Sequence, residues 1–175
     1  MPSKKTGGCR KTATALWCAL AGLIFCALCF FPAVSCLSLA NRKKPAERAL
    51  SKAALQGFSI SYTHSVNKGR VHDFYRCDGK TLLLWRTDFV SYGAGIPEAE
   101  ESPGAVFSVT PEGYSISNMN RRLEKLVLAV GLVAEHSITT THGERFLREF
   151  FVPQTSLIVE VKRVPLLPYL LARHL

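Results

Sequence analysis

Apolar and polar positions divide this chain into two regimes. Residues 12–41 contain no charged side chain. Their most apolar part, residues 13–34, includes Leu16, Trp17, Leu20, Leu23, Ile24, Phe25, Leu28, Phe30 and Phe31. Roughly 20 apolar residues, rising 1.5 Å each in a helix, match a hydrocarbon core ~30 Å thick. The pattern therefore predicts one N-terminal transmembrane or signal helix. From Gly57 onward it changes to short alternating runs broken by turn residues, as in an antiparallel all-β domain. Phe58, Ile60 and Tyr62 alternate with Ser59, Ser61 and Thr63, giving one apolar and one hydroxyl face.

Turn chemistry places the later strands. Asn67-Lys68-Gly69 offers a hairpin loop into residues 71–77, and Asp78-Gly79 a tight turn into 81–87. Thr110-Pro111-Glu112-Gly113 joins 105–109 to 114–117, with proline at the second turn position. Residues 126–130 and 157–164, rich in Val, Leu and Ile, are two further strands. Residues 41–51 read as a loop, 98–103 as an exposed acidic loop, and 118–125 as a short helical turn. The expected fold is all-β, an antiparallel sandwich or partly open barrel of about seven to nine strands. Its expected organisation is a basic n-region (1–12), the apolar segment (13–34) and an extracytoplasmic β-domain (35–175). The tail Val164-Pro-Leu-Leu-Pro-Tyr-Leu-Leu-Ala-Arg-His-Leu175 is apolar but too short to cross a bilayer.

Charge changes the picture only once it is divided. The net +9 of the 175-residue chain looks suited to nucleic acid. Eight of its 22 basic residues but only one of its 13 acids lie at or before Arg48, leaving a remainder at +2. The basicity flanks the apolar segment, where it favours a cytoplasmic N-terminus and an exported remainder, with no nucleic-acid role. Three fates stay open for the segment: an uncleaved anchor in the cytoplasmic membrane, cleavage after Ala40, or lipidation at Cys36 within Ala33-Val34-Ser35-Cys36. Of the six cysteines only Cys77 lies beyond the N-terminal region, which excludes a disulfide framework. Cys26-Ala27-Leu28-Cys29 has the spacing of a ligand pair but sits in the apolar run.

Candidate chemistry gathers in two stretches. If residues 67–69 form the hairpin loop, His64 comes near His72 and Asp73. A Ser65–His64 nucleophilic pair is disfavoured, because adjacent strand residues project to opposite faces and no G-x-S-x-G elbow occurs. His64, His72, Asp73 and His136 are suitable metal ligand types without a recognised metal spacing. Ser91-Tyr92-Gly93-Ala94-Gly95-Ile96-Pro97 lacks the lysine and helix of a phosphate loop. It reads as a tight crossover, or as a loop whose amides face the histidines and bind an anion or partner. The residues expected to carry binding are Tyr62, His64, Ser65, Asp73, Tyr92, Gly93, Gly95 and Pro97, with no catalytic residue, metal or cofactor.

These stretches also carry a resemblance. Tyr62-Thr63-His64-Ser65-Val66, Asp73-Phe74-Tyr75-Arg76 and residues 87–97 resemble, in order, the core pattern of the domain-of-unknown-function family 1850. That pattern is a Y-x-H-S-V run, an acidic-aromatic strand and a G-A-G-L/I-P loop. His72-Asp73 stands here where a paired acidic step is common in the family. The resemblance implies a bacterial or archaeal protein with one N-terminal hydrophobic segment, encoded beside TAXI-type TRAP solute transporters. It implies an accessory partner of the transporter's membrane subunits or solute receptor, with the domain facing the periplasm or cell exterior. The contrasting expectation is an independent extracytoplasmic protein binding a small ligand or metal. The resemblance also implies a first strand directly after the apolar segment, so that residues 36–41 lie inside the domain.

Overall fold

The computed structural model describes residues 8–91 and 102–175. It contains two compact units, one made of the N-terminal helix with Arg163–Leu171, the other of Ser35–Lys162 with Ala172–Leu175. Helix α1 (Gly8–Phe30) has no acidic residue in its first turn and no basic residue in its last. Residues Ala13–Phe30 reach a mean hydropathy of 2.2, apolar enough to cross a membrane as a single-pass anchor or to act as a signal sequence. The short helix α2 (Leu166–Leu170) begins after Pro165, whose fixed φ suits a helix entry.

The second unit is a sandwich of two largely antiparallel sheets and not a closed barrel. Its strands are β1 (Val34–Asn41), β2 (Arg48–Ser51), β3 (Phe58–Thr63), β4 (Arg70–Asp78), β5 (Thr81–Phe89) and β6 (Val106–Thr110). There follow β7 (Gly113–Leu123), β8 (Leu126–Ala129), β9 (Ser137–Thr140), β10 (Gly143–Phe146), β11 (Ser156–Val164) and β12 (Arg173–His174). Five strands run in the order β12-β2-β1-β11-β8, and seven in the order β10-β9-β3-β4-β5-β7-β6. One apolar layer fills the space between the sheets. Leu37, Leu39, Leu157 and Val159 enter it from the five-stranded sheet. Phe58, Ile60, Val71, Tyr75, Phe89, Ile116 and Ile138 enter it from the other, and Phe58 stacks on Tyr75 at 5.1 Å.

The turns follow local chemistry. Asp78 pairs with Thr81, and Gly79 between them takes φ +61°, the first-position glycine of a tight hairpin. Thr110 pairs with Gly113 around Pro111-Glu112. At the β3–β4 connection Asn67 Oδ1 accepts the Gly69 N–H at 2.9 Å and Lys68 takes φ +59°.

Two expectations are corrected. Residues 41–51 are not one loop: β1 runs through Asn41 and β2 begins at Arg48, leaving a connection of six residues. Strand β2 has four residues, too few for a periodic signal, yet Ala49 and Leu50 are fully buried. Residues 118–125 form no helical turn, because β7 continues to Leu123 through a bulge. Asn118 and Asn120 take φ +58° and +51°, and residues 118–120 oppose the single Trp85 between the Arg86–Ser117 and Leu84–Arg121 pairs. Asparagine tolerates this left-handed backbone as single residues, and the bulge turns Met119 into the core. Finally, β9 and β10 add strands the sequence pattern did not show. Ser137-Ile138-Thr139-Thr140 and Gly143-Glu144-Arg145-Phe146 are short and largely polar, and β9 is held by pairing with β3.

Candidate functional site

Alternation along the central strands of the seven-stranded sheet separates two chemistries. One face is the core; the other carries a polar row at consecutive registers. Ser137 pairs with Ser61, Ser61 with His72, His72 with Asp88, Asp88 with Ser115, and Ser115 with Ser108. The row thus crosses six strands side by side. Its short hydroxyl side chains sit low between longer neighbours, so Ser61 and Ser137 are buried although they face away from the core.

The Ser61 hydroxyl and His72 Nδ1 share a hydrogen bond of 2.8 Å. Burial and then the positive Arg70 hold the His72 pKa below its ordinary value, favouring a neutral ring. Arg86 donates to both oxygens of Asp88, from Nε at 2.7 Å and Nη2 at 2.5 Å. Burial pushes the Asp88 carboxyl up, but hydrogen bonds from Arg86 and Ser115 outweigh it and leave the pKa lowered. Arg70 crosses the neighbouring strands, donating to the Glu135 carbonyl at 3.0 Å and the Ser137 hydroxyl at 2.9 Å. A cleft of about 320 Å³ opens beside this row, with Arg70, His72, Asp88, Glu112 and Tyr114 on its walls.

Serine, histidine and aspartate in register invite comparison with a hydrolytic triad. That chemistry needs an open nucleophile, a carboxylate free to orient the imidazole, and donors for an oxyanion. Ser61 is 1% exposed, and the fork of Arg86 takes both oxygens of Asp88. The row is closed on itself. A second ribbon adjoins it: Arg76 lies 4.3 Å over the Trp85 ring, Trp85 lies 6.2 Å from Phe74, and Arg86 lies 5.0 Å over Phe74. Stacked arginine and tryptophan are the side chains that most often carry protein–protein binding energy.

The residues singled out from sequence scatter around this row. Tyr62 points into the core and stacks on His136 at 5.6 Å; burial, then Asp73, pushes its pKa up to about 12. His64 lies beyond the end of β3 and is buried; its N–H donates to the Gly69 carbonyl at 2.8 Å. The His64 Nδ1 accepts the Val66 N–H at 3.3 Å. Ser65 is exposed in the same loop, where its carbonyl accepts a hydrogen bond from Lys68 Nζ. His72 and Asp73 are sequence neighbours on opposite faces, so the expected grouping of His64, His72 and Asp73 does not form. Among the described residues no cluster of three His, Cys, Asp or Glu side chains could hold a metal. Tyr92, Gly93, Gly95 and Pro97 lie outside the described residues, as does the expected approach of residues 93–97 to His64. The Ser61–His72 pair, Arg86 and Asp88 escaped the sequence reading, which named His72 only beside His64 and Asp73 and as a metal-ligand type. Their signal was the hairpin register, since strands meeting at Thr63 and Arg70 must pair Ser61 with His72.

Asp73 is the least comfortable group in the core. It pairs with Ile60 and Thr87, and the Thr87 hydroxyl donates to its Oδ1 at 2.9 Å. The residue keeps some exposure, but its carboxyl group is enclosed, and burial pushes its pKa up to about 6 against the pull of Thr87 and Arg121. Between about pH 4 and 6 the folded state then holds a proton that the unfolded chain has lost. Stability therefore falls as pH rises through that window and levels off above it. Asp73→Asn should raise stability at pH 7–8 by about 2–3 kcal/mol, with the gain vanishing below pH 4. Melting curves of both proteins across this range check it, and a variant less stable than the parent at pH 7.5 would contradict it.

The family model described as "Domain of unknown function (DUF1850)" matches residues 58–147. The matched segment contains every strand of the seven-stranded sheet, while β1, β2, β11 and β12 of the other sheet lie outside it. No curated protein and no solved structure matches the chain.

Proposed function

The chain belongs to the DUF1850 family of unknown function, and from that premise we propose a non-enzymatic, membrane-tethered docking module, accessory to a TAXI-type TRAP solute transporter. The observation that carries the reading is the outward face of the seven-stranded sheet. There the Ser61–His72 and Arg86–Asp88 pairs satisfy one another, while the Arg76–Trp85–Phe74 ribbon offers cationic and aromatic contact area. A closed polar row supports holding a partner more than turning over a substrate.

Lys4, Lys5, Arg10 and Lys11, ahead of the apolar run, favour a cytoplasmic N-terminus and an exported sandwich. Tethering confines the module near membrane partners, so a modest contact suffices. The family resemblance supplies the partner: the transporter's membrane subunits or its solute receptor. Crosslinking in native membranes should recover transporter components. Replacing Arg76 and Trp85 together by alanine should lower that recovery at least about tenfold while the protein stays in the membrane. Unchanged solute uptake after gene deletion, with no transporter component crosslinked, would defeat the proposal. A second reading, an independent small-ligand binding protein, draws on the cleft beside His72. Thermal shifts of the purified protein with candidate solutes, lost in His72→Ala, would favour it.

A further inference from the structure

A sheet edge exposes backbone hydrogen-bonding groups, and natural proteins guard such edges with charge, proline, bulges or brevity. The four edges of this sandwich are unequally guarded. Strand β12 has two residues. Strand β10 carries Glu144 and Arg145, the latter bridged to Glu149 at 2.7 Å. Strand β8 has four residues and is entered through Glu124-Lys125. Strand β6 is the longest of the four, Val106-Phe107-Ser108-Val109-Thr110, with no charge and no proline. Val106 is 55%, Phe107 41% and Val109 74% exposed. Among the described residues its one strand neighbour is β7.

We propose that β6 pairs with β6 of a second copy of this chain, antiparallel and centred on Ser108. The argument for a second copy is self-complementarity. About a two-fold axis at Ser108, Phe107 meets Val109 of the other copy, Val106 meets Thr110, and Ser108 meets Ser108. Every pair is apolar or hydroxylic, and no like charges oppose each other. The Phe–Val pair, an aromatic against a β-branched side chain, forms twice and is a favoured cross-strand match. Odd-numbered residues of β6 share the face of Ile116 and Tyr114, with which Phe107 and Val109 pair. Opposed residues keep to the same face in an antiparallel pair, so Phe107 and Val109 of both copies merge on one side. Five residues of edge bury less than the ~1,200 Å² of an ordinary stable interface. The contact is therefore suited to copies confined to one membrane. It is independent of the docking face above, which lies over the central strands.

Disulfide trapping in the full-length protein in native membranes tests it. Cys9, Cys18, Cys26 and Cys29 are first replaced by serine, so that the N-terminal segment contributes no crosslinks. Directly opposed residues approach within about 5.5 Å, inside disulfide reach. Ser108→Cys should give a disulfide-linked dimer under mild oxidation, and Ser117→Cys on β7 should not. Val109→Lys and Val106→Lys, each in the Ser108→Cys background and with melting curves confirming the fold, should lower the dimer fraction about tenfold. Ser108→Cys that crosslinks no better than Ser117→Cys, or that captures a different protein in place of a second copy, overturns the proposal. So does a dimer fraction unmoved by both lysine variants.

Discussion

A chain cut after Ala40 will not form the sandwich. Strand β1 lies between β2 and β11 in the five-stranded sheet, so the cut removes a central strand and leaves two others without their neighbour. Leu37 and Leu39 are completely buried, and each contributes about 1.5–3 kcal/mol of apolar burial. Together with the lost pairing to residues 48–51, this is a large share of the 5–15 kcal/mol typical of a domain. Lipidation at Cys36 meets a different obstacle, since it keeps Leu37 and Leu39 but needs an accessible thiol. The Cys36 side chain is completely buried within β1, and burial raises the thiol pKa. Residues 41–175 produced alone should show no cooperative thermal transition, whereas residues 35–175 should melt cooperatively. A folded 41–175 fragment would restore cleavage after Ala40 as a route to the mature protein.

Replacing Gly113 should be the most damaging single substitution outside the apolar core. The residue closes the β6–β7 hairpin at φ +144°, a conformation that side chains with a Cβ rarely adopt. An added Cβ would also overlap the Phe89 carbonyl oxygen and approach the Val90 Cα to 2.9 Å. Both are backbone atoms of the neighbouring β5 segment and cannot swing aside. Gly113→Ala should therefore cost about 3–5 kcal/mol. Gly79→Ala makes the comparison, since Gly79 also has positive φ, at +61°, but an added Cβ there meets nothing within 4 Å. Its cost should stay near 1 kcal/mol, the backbone term alone. Denaturant melts of the two variants separate conformational strain from steric overlap. Equal costs would mean that β5 yields and that overlap contributes nothing.

The apolar segment, the all-β class and the strand pairs around 67–69, 78–79 and 110–113 were legible because each rests on neighbours in sequence. Uncharged length marks a helix able to cross a bilayer, alternation marks a half-buried strand, and glycine, proline and asparagine mark turns by their own dihedral preferences. Strands β9 and β10 were not legible, since four residues with one apolar side chain each carry no periodicity; β9 is held by pairing with β3, and β10 by pairing with β9. The bulge at Asn118-Met119-Asn120 was also hidden. Its backbone is decided by the need to seat Met119 in the core opposite a single β5 residue.

The site divides in the same way. Sequence alone brought forward Tyr62, His64 and Asp73 as unusual residues, but it could not say which would share a face. Period-two alternation sends His72 and Asp73 to opposite sides, and a hairpin ending at Thr63 leaves His64 in the loop. Ser61, His72, Asp88 and Ser115 lie up to 54 residues apart in the chain and meet only because three antiparallel registers align them. Composition and pattern thus determined what kind of elements this protein makes. Register, a property of pairs of strands, decided which side chains meet, because a shift of one residue would have turned every one of them to the other face.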